Sequence, residues 1–312
     1  MFSLGFSART VNVILFALLT LTWGFTWFAS KFLVITNITL MPEILASYRF
    51  TFAGIILFIV AKAFNLQLKP SKHELKVFII ASVFGCSINL FLFYYAAFYL
   101  ISGFSSVVFS MIIILNLIIG SFFGVKQVNF LKVFILAVLG MVGLYFIIVS
   151  HSGFHGFFTR NILIGLLLGF LATLSFSISS TYYQTRQNIN LHPVTSFAYM
   201  CIFGACWCIL MGFTHSLFSG IKMNFIPQIS FNFIVAFLYL SIFGTAIGYL
   251  CSFTLVRRIG SVKTGYSSLI TPLFSIGVSF LWEKYNFSFL TVIGLALIII
   301  SEFLALNDKN IK

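Results

Sequence analysis

The sequence predicts an all-α membrane protein of ten transmembrane helices built as two inverted five-helix repeats. Three observations carry this reading. Of 312 residues, 61% are hydrophobic and 7% charged, with a mean hydropathy of +1.11, whereas soluble domains carry about 25% charge. Apolar runs near the roughly 20 residues that cross about 30 Å of hydrocarbon recur between charged or turn-rich breaks. The basic residues behind the net charge of +13 lie in those breaks rather than on one face, which excludes a nucleic-acid surface and points to orientation in a bilayer.

The spans fall at 11–30, 42–61, 77–97, 100–122, 131–149, 162–184, 194–214, 232–255, 261–282 and 288–306. The first carries Trp23 and Trp27 and lacks a small-residue cleavage site, so it reads as a membrane helix and not as a signal peptide. Pro42 opens the second. Lys69-Pro70-Ser71-Lys72 is a turn before the third, and the break between the third and fourth, around Tyr99 to Gly103, is so short that these helices must be antiparallel neighbours. A Gly-rich loop is expected from His151-Ser152-Gly153, and Pro193 suits a helix start after the polar stretch from Asn188. Arg257, Arg258 and Lys263 mark the turn into the ninth helix. There Ser261, Thr264, Ser268, Thr271, Ser275 and Ser279 recur at steps of three and four, a single helical stripe. Pro272 is expected to interrupt that helix, whose stripe then faces protein or a water-filled path where the freed carbonyl is re-satisfied.

Placing the N-terminus in the cytoplasm puts Arg9, Lys62, Lys69, Lys72, Lys76, Lys126, Lys132, Arg186, Arg257, Arg258, Lys263, Lys309 and Lys312 inside, against Lys31, Arg160, Lys222 and Lys284 outside. The positive-inside rule is then met with both termini cytoplasmic in an inner membrane. The halves, 1–150 and 151–312, repeat weakly. Ile101 aligns with Ile259, Ser110 with Ser268 and Ser121-Phe122 with Ser279-Phe280, while Pro42 falls on Pro193 and Tyr48 on Tyr199. An odd number of spans per repeat makes the second half insert upside down relative to the first, the plan of many alternating-access carriers.

Several motifs fit one family. Trp23-Gly24-Phe25-Thr26, Pro42 followed by Arg49-Phe50, Tyr94-Tyr95-Ala96-Ala97 with Ser105-Ser106, Gly260-Ser261, Thr271-Pro272-Leu273-Phe274 and Glu283 together resemble EamA-type carriers of the drug/metabolite transporter superfamily. The chain departs from that pattern at Ile114 and Val125, where the first half lacks the proline and glutamate that many members keep. The resemblance implies export or exchange of a small metabolite, with amino acids and related compounds the first expectation and drug-like amphiphiles the alternative. It implies no cofactor.

Arg49 is the most informative residue, lying roughly 10 Å inside the second span. Facing lipid at mid-membrane it would cost at least about 2.5–3.5 kcal/mol; as a planar fork it would bind a carboxylate bidentately. A snorkelling or carbonyl-paired side chain is the plainer reading. Trp23, Asn89, Tyr94, Asn116, Ser175, Tyr199, Tyr249, Ser268 and Thr271 are the further candidates for a mixed apolar and polar cavity, set against interfacial aromatics and hydroxyls bonded to their own helix. Gly120/Gly124, Gly165/Gly169 and Gly244/Gly248 have the spacing for close helix packing. No carboxylate is placed near mid-membrane, so proton antiport through a buried acid is not supported; Glu283 and Glu302 read as solvated or helix-end groups. The five Cys have no metal-ligand spacing and read as buried small hydrophobes. His151 and His155 lack further ligands nearby, so no metal site is assigned. An integral-membrane enzyme acting on lipids would need convergent His, Asp or Glu at one interface, and only Lys72, His73 and Glu74 cluster, on an expected solvated loop. The partners are therefore a small-molecule substrate and the lipid bilayer, with the oligomeric state open.

Overall fold

The computed structural model describes residues 7–37, 39–125, 130–186 and 189–306. Lys126, Lys309, Lys312, Asn188 and the side chain of Glu302, used above, lie outside what is described. The described chain is helical throughout: α1 (Ala8–Thr36), α2 (Pro42–Ala63), α3 (Lys72–Ala96), α4 (Ser102–Phe122), α5 (Phe130–Phe157), α6 (Arg160–Thr185), α7 (Pro193–Ser219), α8 (Phe231–Ile259), α9 (Ser261–Trp282) and α10 (Phe289–Leu306). The first nine are long and apolar enough to cross a membrane, and α10 adds a shorter apolar stretch, Phe289–Ser301.

Helix ends follow local chemistry. Pro42 and Pro193 occupy first-turn positions where no backbone donor is lost. Ser71 and Glu74 form a reciprocal capping box at the start of α3. Glu74 also accepts from the backbone N–H groups of Asn190 and Leu191. This corrects the expected solvated cluster at Lys72-His73-Glu74: the carboxylate is buried and ties α3 to the segment before α7. The expected loop at His151 is helical too, because α5 continues to Phe157 and breaks only at Gly153, at φ +73. His151 there stacks on Tyr285.

The contacts are paired about a pseudo-two-fold. α2 packs on α7, α4 on α9 and α5 on α10, while α1 lies against α8 and α9 as α6 lies against α3 and α4. The α5–α10 contact is backbone on backbone. A Cβ on Gly143 would stand 2.6 Å from the carbonyl oxygen of Gly294, and one on Gly294 would stand 2.6 Å from that of Gly143. Gly165/Gly169 and Gly244/Gly248 likewise meet neighbouring helices closely, but Gly124 ends α4 at φ +69 with open space around it, so the expected packing role of Gly120/Gly124 does not hold.

Two irregularities recur at matching places. α3 carries a π-helical turn at Val83–Ile88 and α8 one at Leu240–Ile247. Such turns free backbone groups for other partners, and both are used: Phe84 O accepts from Ser175 of α6 (2.7 Å) and Gly244 O from the Trp23 indole of α1 (3.1 Å). α9 is interrupted at Gly265-Tyr266 and not at Pro272, which sits inside a continuous Ser267–Trp282 helix. α4 breaks at Met111 without a proline. The hydroxyl stripe of α9 is buried throughout and lies in a helix packed on α4 and α1.

Gly143→Leu should force α5 and α10 apart, an overpacking cost of about 1–3 kcal/mol. Thermal unfolding in detergent would show a lowered midpoint, and Gly277→Leu, at a position with open space around it, should leave it unchanged.

Candidate functional site

A small cavity of about 50 Å³ sits among α1, α2, α3, α4, α6 and α8, lined by Trp23, Thr26, Trp27, Ser30, Lys31, Arg49, Asn89, Leu90, Phe93, Tyr94, Ala97, Ser102, Ser105, Phe109, Phe176 and Tyr249. Arg49 is 1% exposed. Its Nε donates to Thr245 Oγ1 in the π-helical turn of α8, and its Nη1 to Ser30 Oγ (3.4 Å) and Tyr94 Oη (3.3 Å). Among the described residues no carboxylate pairs with it and none lines the cavity. A buried cation without a counter-ion is costly. Three neutral oxygens from α1, α3 and α8 offset part of that cost and hold the fork in place.

The walls are aromatic. The rings of Trp23, Phe109 and Phe176 form a triangle with centroids 5.6–5.8 Å apart. The same three rings line a second cavity of about 20 Å³ with Asn116, Ser180, Ser252, Ser261, Thr264 and Ser267. Asn116 and Ser261 also line a third, of about 30 Å³, with Gln184, Gly260 and Lys263. A chain of small spaces thus runs from Arg49 toward the end of the bundle where α1 begins, interrupted by the ring triangle.

The opposite end is closed by charge. Lys31 Nζ lies 2.9 Å from Glu283 Oε1, and Glu283 accepts from the backbone N–H of Ser102 (3.0 Å), the Ser102 hydroxyl and Ser279 Oγ (2.6 Å). Of the two roles expected from sequence, solvated or helix-end, Glu283 takes the second: it stands at the end of α9 and locks α1, α4 and α9 together. Burial pushes its carboxyl up, but the hydrogen bonds from Ser102 and Ser279 and the Lys31 ammonium outweigh this and hold it below the usual carboxylate value. Glu43, fully buried, forms a second closure between α2, α7 and α3 through His215 Nδ1 (2.8 Å) and the Tyr95 hydroxyl.

Of the residues singled out from sequence, Arg49, Trp23, Asn89, Tyr94 and Tyr249 meet at the cavity. Asn89 donates to Ala172 O (2.9 Å) and accepts from Tyr249 Oη (3.3 Å). The others lie elsewhere. Asn116 lines the second space and bonds Ser261 O, Ser177 and Ser180. Ser175 occupies a carbonyl of the π-helical turn in α3, and Tyr199 packs on Phe58 and Phe78. Ser268 and Thr271 bond backbone carbonyls. Of the Cys, Cys206 is exposed on α7 and the other four are buried. Sequence reasoning did not place Thr245, Lys31, Ser102, Phe109 or Phe176 at the site. The one available signal was Lys31: α1 runs on to Thr36, which sets that lysine inside a helix instead of in a loop.

The EamA-like transporter family matches residues 11–149 and again 163–307. The chain belongs to this family. The same family thus matches the chain twice, once in each half. An uncharacterized transporter of Buchnera aphidicola subsp. Schizaphis graminum is 28% identical over 85% of the chain and 84% of its own length. The uncharacterized transporter YvbV of Bacillus subtilis is 28% identical over 97% and 93%, and the protein PagO of Salmonella typhimurium is 26% identical over 97% and 95%. A solved crystal structure superposes at a TM-score of 0.65 with 17% identity, covering 95% of this chain and 96% of that one, a likeness of fold. Family membership sets this multi-pass membrane protein among transporters rather than membrane enzymes.

Glu283→Gln should weaken the charged closure, because the amide keeps the size but loses the pairing with Lys31. A Cys introduced at Ser105 should then react several-fold faster with a membrane-impermeant maleimide. Because the closed form holds Glu283 below its usual value, closure is complete above the ordinary carboxylate range and fades as pH falls through the depressed value. In a background freed of the five native cysteines, the labelling rate at Ser105→Cys divided by that of an exposed Lys222→Cys control, which corrects for loss of thiolate, should rise on acidification and show no such rise in Glu283→Gln.

Proposed function

We propose that the chain is a secondary transporter that exports a small carboxylate-bearing metabolite across the inner membrane by alternating access. The observation that carries this reading is Arg49: a buried guanidinium without a carboxylate partner among the described residues, lining a cavity between two copies of one structural unit. Its fork geometry suits a carboxylate, and a low-dielectric surrounding strengthens that pairing. In this reading the halves 1–150 and 151–312 rock about the cavity. The space of about 50 Å³ is well under the 300–1,000 Å³ of ordinary ligand sites, so the structure corresponds to a closed form that must widen to admit its cargo.

Direction in the membrane rests on charge. Arg9, Lys62, Lys69, Lys72, Lys76, Lys132, Arg186, Arg257, Arg258 and Lys263 lie toward the end where α1 begins, against Lys31, Arg160, Lys222 and Lys284 at the other, which supports cytoplasmic termini. The Lys31–Glu283 closure would then be the external one. Among the described residues no acid lines the cavity, which favours exchange or facilitated movement over proton coupling. A cationic amphiphile is a poor fit, since both charged side chains in the lining, Arg49 and Lys31, are positive.

Counterflow in proteoliposomes, screened across amino acids and related carboxylates, tests this. Arg49→Met should reduce kcat/KM for the active substrate about 10- to 100-fold, the size of a lost hydrogen bond to a charged group, and Arg49→Lys should recover part of it. Unchanged transport by a folded Arg49→Met protein would overturn the proposal.

A further inference from the structure

Resting on the carboxylate reading of Arg49, we infer that the cavity is built for an organic monoanion that lacks an ammonium group, an arylalkanoate or 2-oxo acid, and that Trp27 supplies its second hydrogen-bond donor. The inference comes from counting which polar groups in the lining still have capacity. Trp27 lines the cavity, and its buried indole N–H has no hydrogen-bond partner among the described residues. An indole N–H can only donate, and buried donors in folded proteins are almost always paired. The Arg49 Nη2 group likewise makes no hydrogen bond among the described residues, while Nε and Nη1 are already engaged. Three N–H groups therefore stand without a partner among the described residues, one on Trp27 of α1 and two on Arg49 Nη2 of α2. Donors converging from two helices suit the two oxygens of one carboxylate.

The acceptors tell the other half. All of them are neutral: Asn89 Oδ1 accepts from Tyr249, Ser30 Oγ and Tyr94 Oη accept from Arg49, Thr26 Oγ1 is turned onto Thr22 O, and Ser105 adds a further hydroxyl. Glu283 stands outside the lining, held by Lys31, Ser102 and Ser279. An α-ammonium would bring three donors and a positive charge into a dry space whose charged lining residues are Arg49 and Lys31. Ring faces attract cations, but here they compete with repulsion from a guanidinium in the same low-dielectric space. The rings of Trp27, Phe93 and Phe109, with centroids 4.8–5.9 Å apart, favour an aromatic body beneath the carboxylate instead.

The test uses the full chain in proteoliposomes with three probes of one skeleton: 3-phenylpropionate, L-phenylalanine and phenethylamine. 3-Phenylpropionate should drive counterflow, phenylalanine should be at least about tenfold weaker in kcat/KM, and phenethylamine should be inert. Trp27→Phe keeps a ring and removes only the N–H. It should raise KM for 3-phenylpropionate about tenfold with little change in kcat and an unchanged unfolding midpoint. If phenylalanine is preferred and Arg49→Met still abolishes its transport, this inference fails while the carboxylate reading stands. If neither carboxylate is moved, both fail. If 3-phenylpropionate is preferred but Trp27→Phe leaves its KM unchanged, the role given to Trp27 is overturned.

Discussion

A guanidinium shut away from water governs the centre of this protein. Arg49 can be held there only if oxygens converge on it from several helices, and those it uses come from Ser30, Tyr94 and Thr245 on α1, α3 and α8. Thr245 reaches it from within the π-helical turn of α8. That same turn presents the Gly244 carbonyl to the Trp23 indole, so one distortion positions both the cation and the aromatic floor beside it. Gly244 and Gly248 are required at this point: a Cβ on Gly244 would come within 3.1 Å of Arg49 Nη2, and one on Gly248 would collide with the Trp23 ring. Close approach, cation and aromatic wall are thus one construction.

The two ends of the bundle are closed by different chemistry although the halves are built alike. Where α4 begins, the Ser102 N–H is capped by the Glu283 carboxylate, itself paired with Lys31. Where α9 begins, the corresponding Ser261 N–H is capped at 2.7 Å by the neutral amide oxygen of Gln184. Val125 stands in the first half where the second has Glu283, which leaves the Gln184 end without the matching charge. Ion pairs in a dry environment separate at high cost, whereas a single amide cap is exchanged readily for water. One end therefore carries a charged closure and the other a neutral cap, with the ring triangle of Trp23, Phe109 and Phe176 behind the neutral one.

Much of the architecture was legible in the chain. The apolar runs, the prolines at first-turn positions and the family motifs pointed to a chain of membrane-length helices in this order, because a bilayer leaves few other ways to satisfy a backbone. The cavity was legible only in part. Arg49, Trp23, Asn89, Tyr94 and Tyr249 carry polar tips on otherwise apolar helices and stand out for that reason. Asn116, Ser175, Tyr199, Ser268 and Thr271 look the same in sequence, yet the first four join helices to one another and Thr271 bonds a carbonyl of its own helix, since a polar side chain in an apolar run must find a partner whether it lines a site or a contact. Glu74 and Lys31 misled in the other direction: near a helix end a charge reads as solvated until the helix opposite is known.

Sequence by itself determined that the protein is a helical membrane bundle, which prolines open helices α2 and α7, and that α2 carries a cation well inside its span. These follow from hydropathy and local stereochemistry, which act over a few residues. Tertiary structure alone decided that Lys31 meets Glu283, that both π-helical turns turn carbonyls toward α1 and α6, and that Trp27 and Arg49 line one cavity. Those outcomes depend on how helices rotate and approach each other, and the partners involved are separated by up to 252 positions for Lys31 and Glu283. No local pattern in the chain records such a distance.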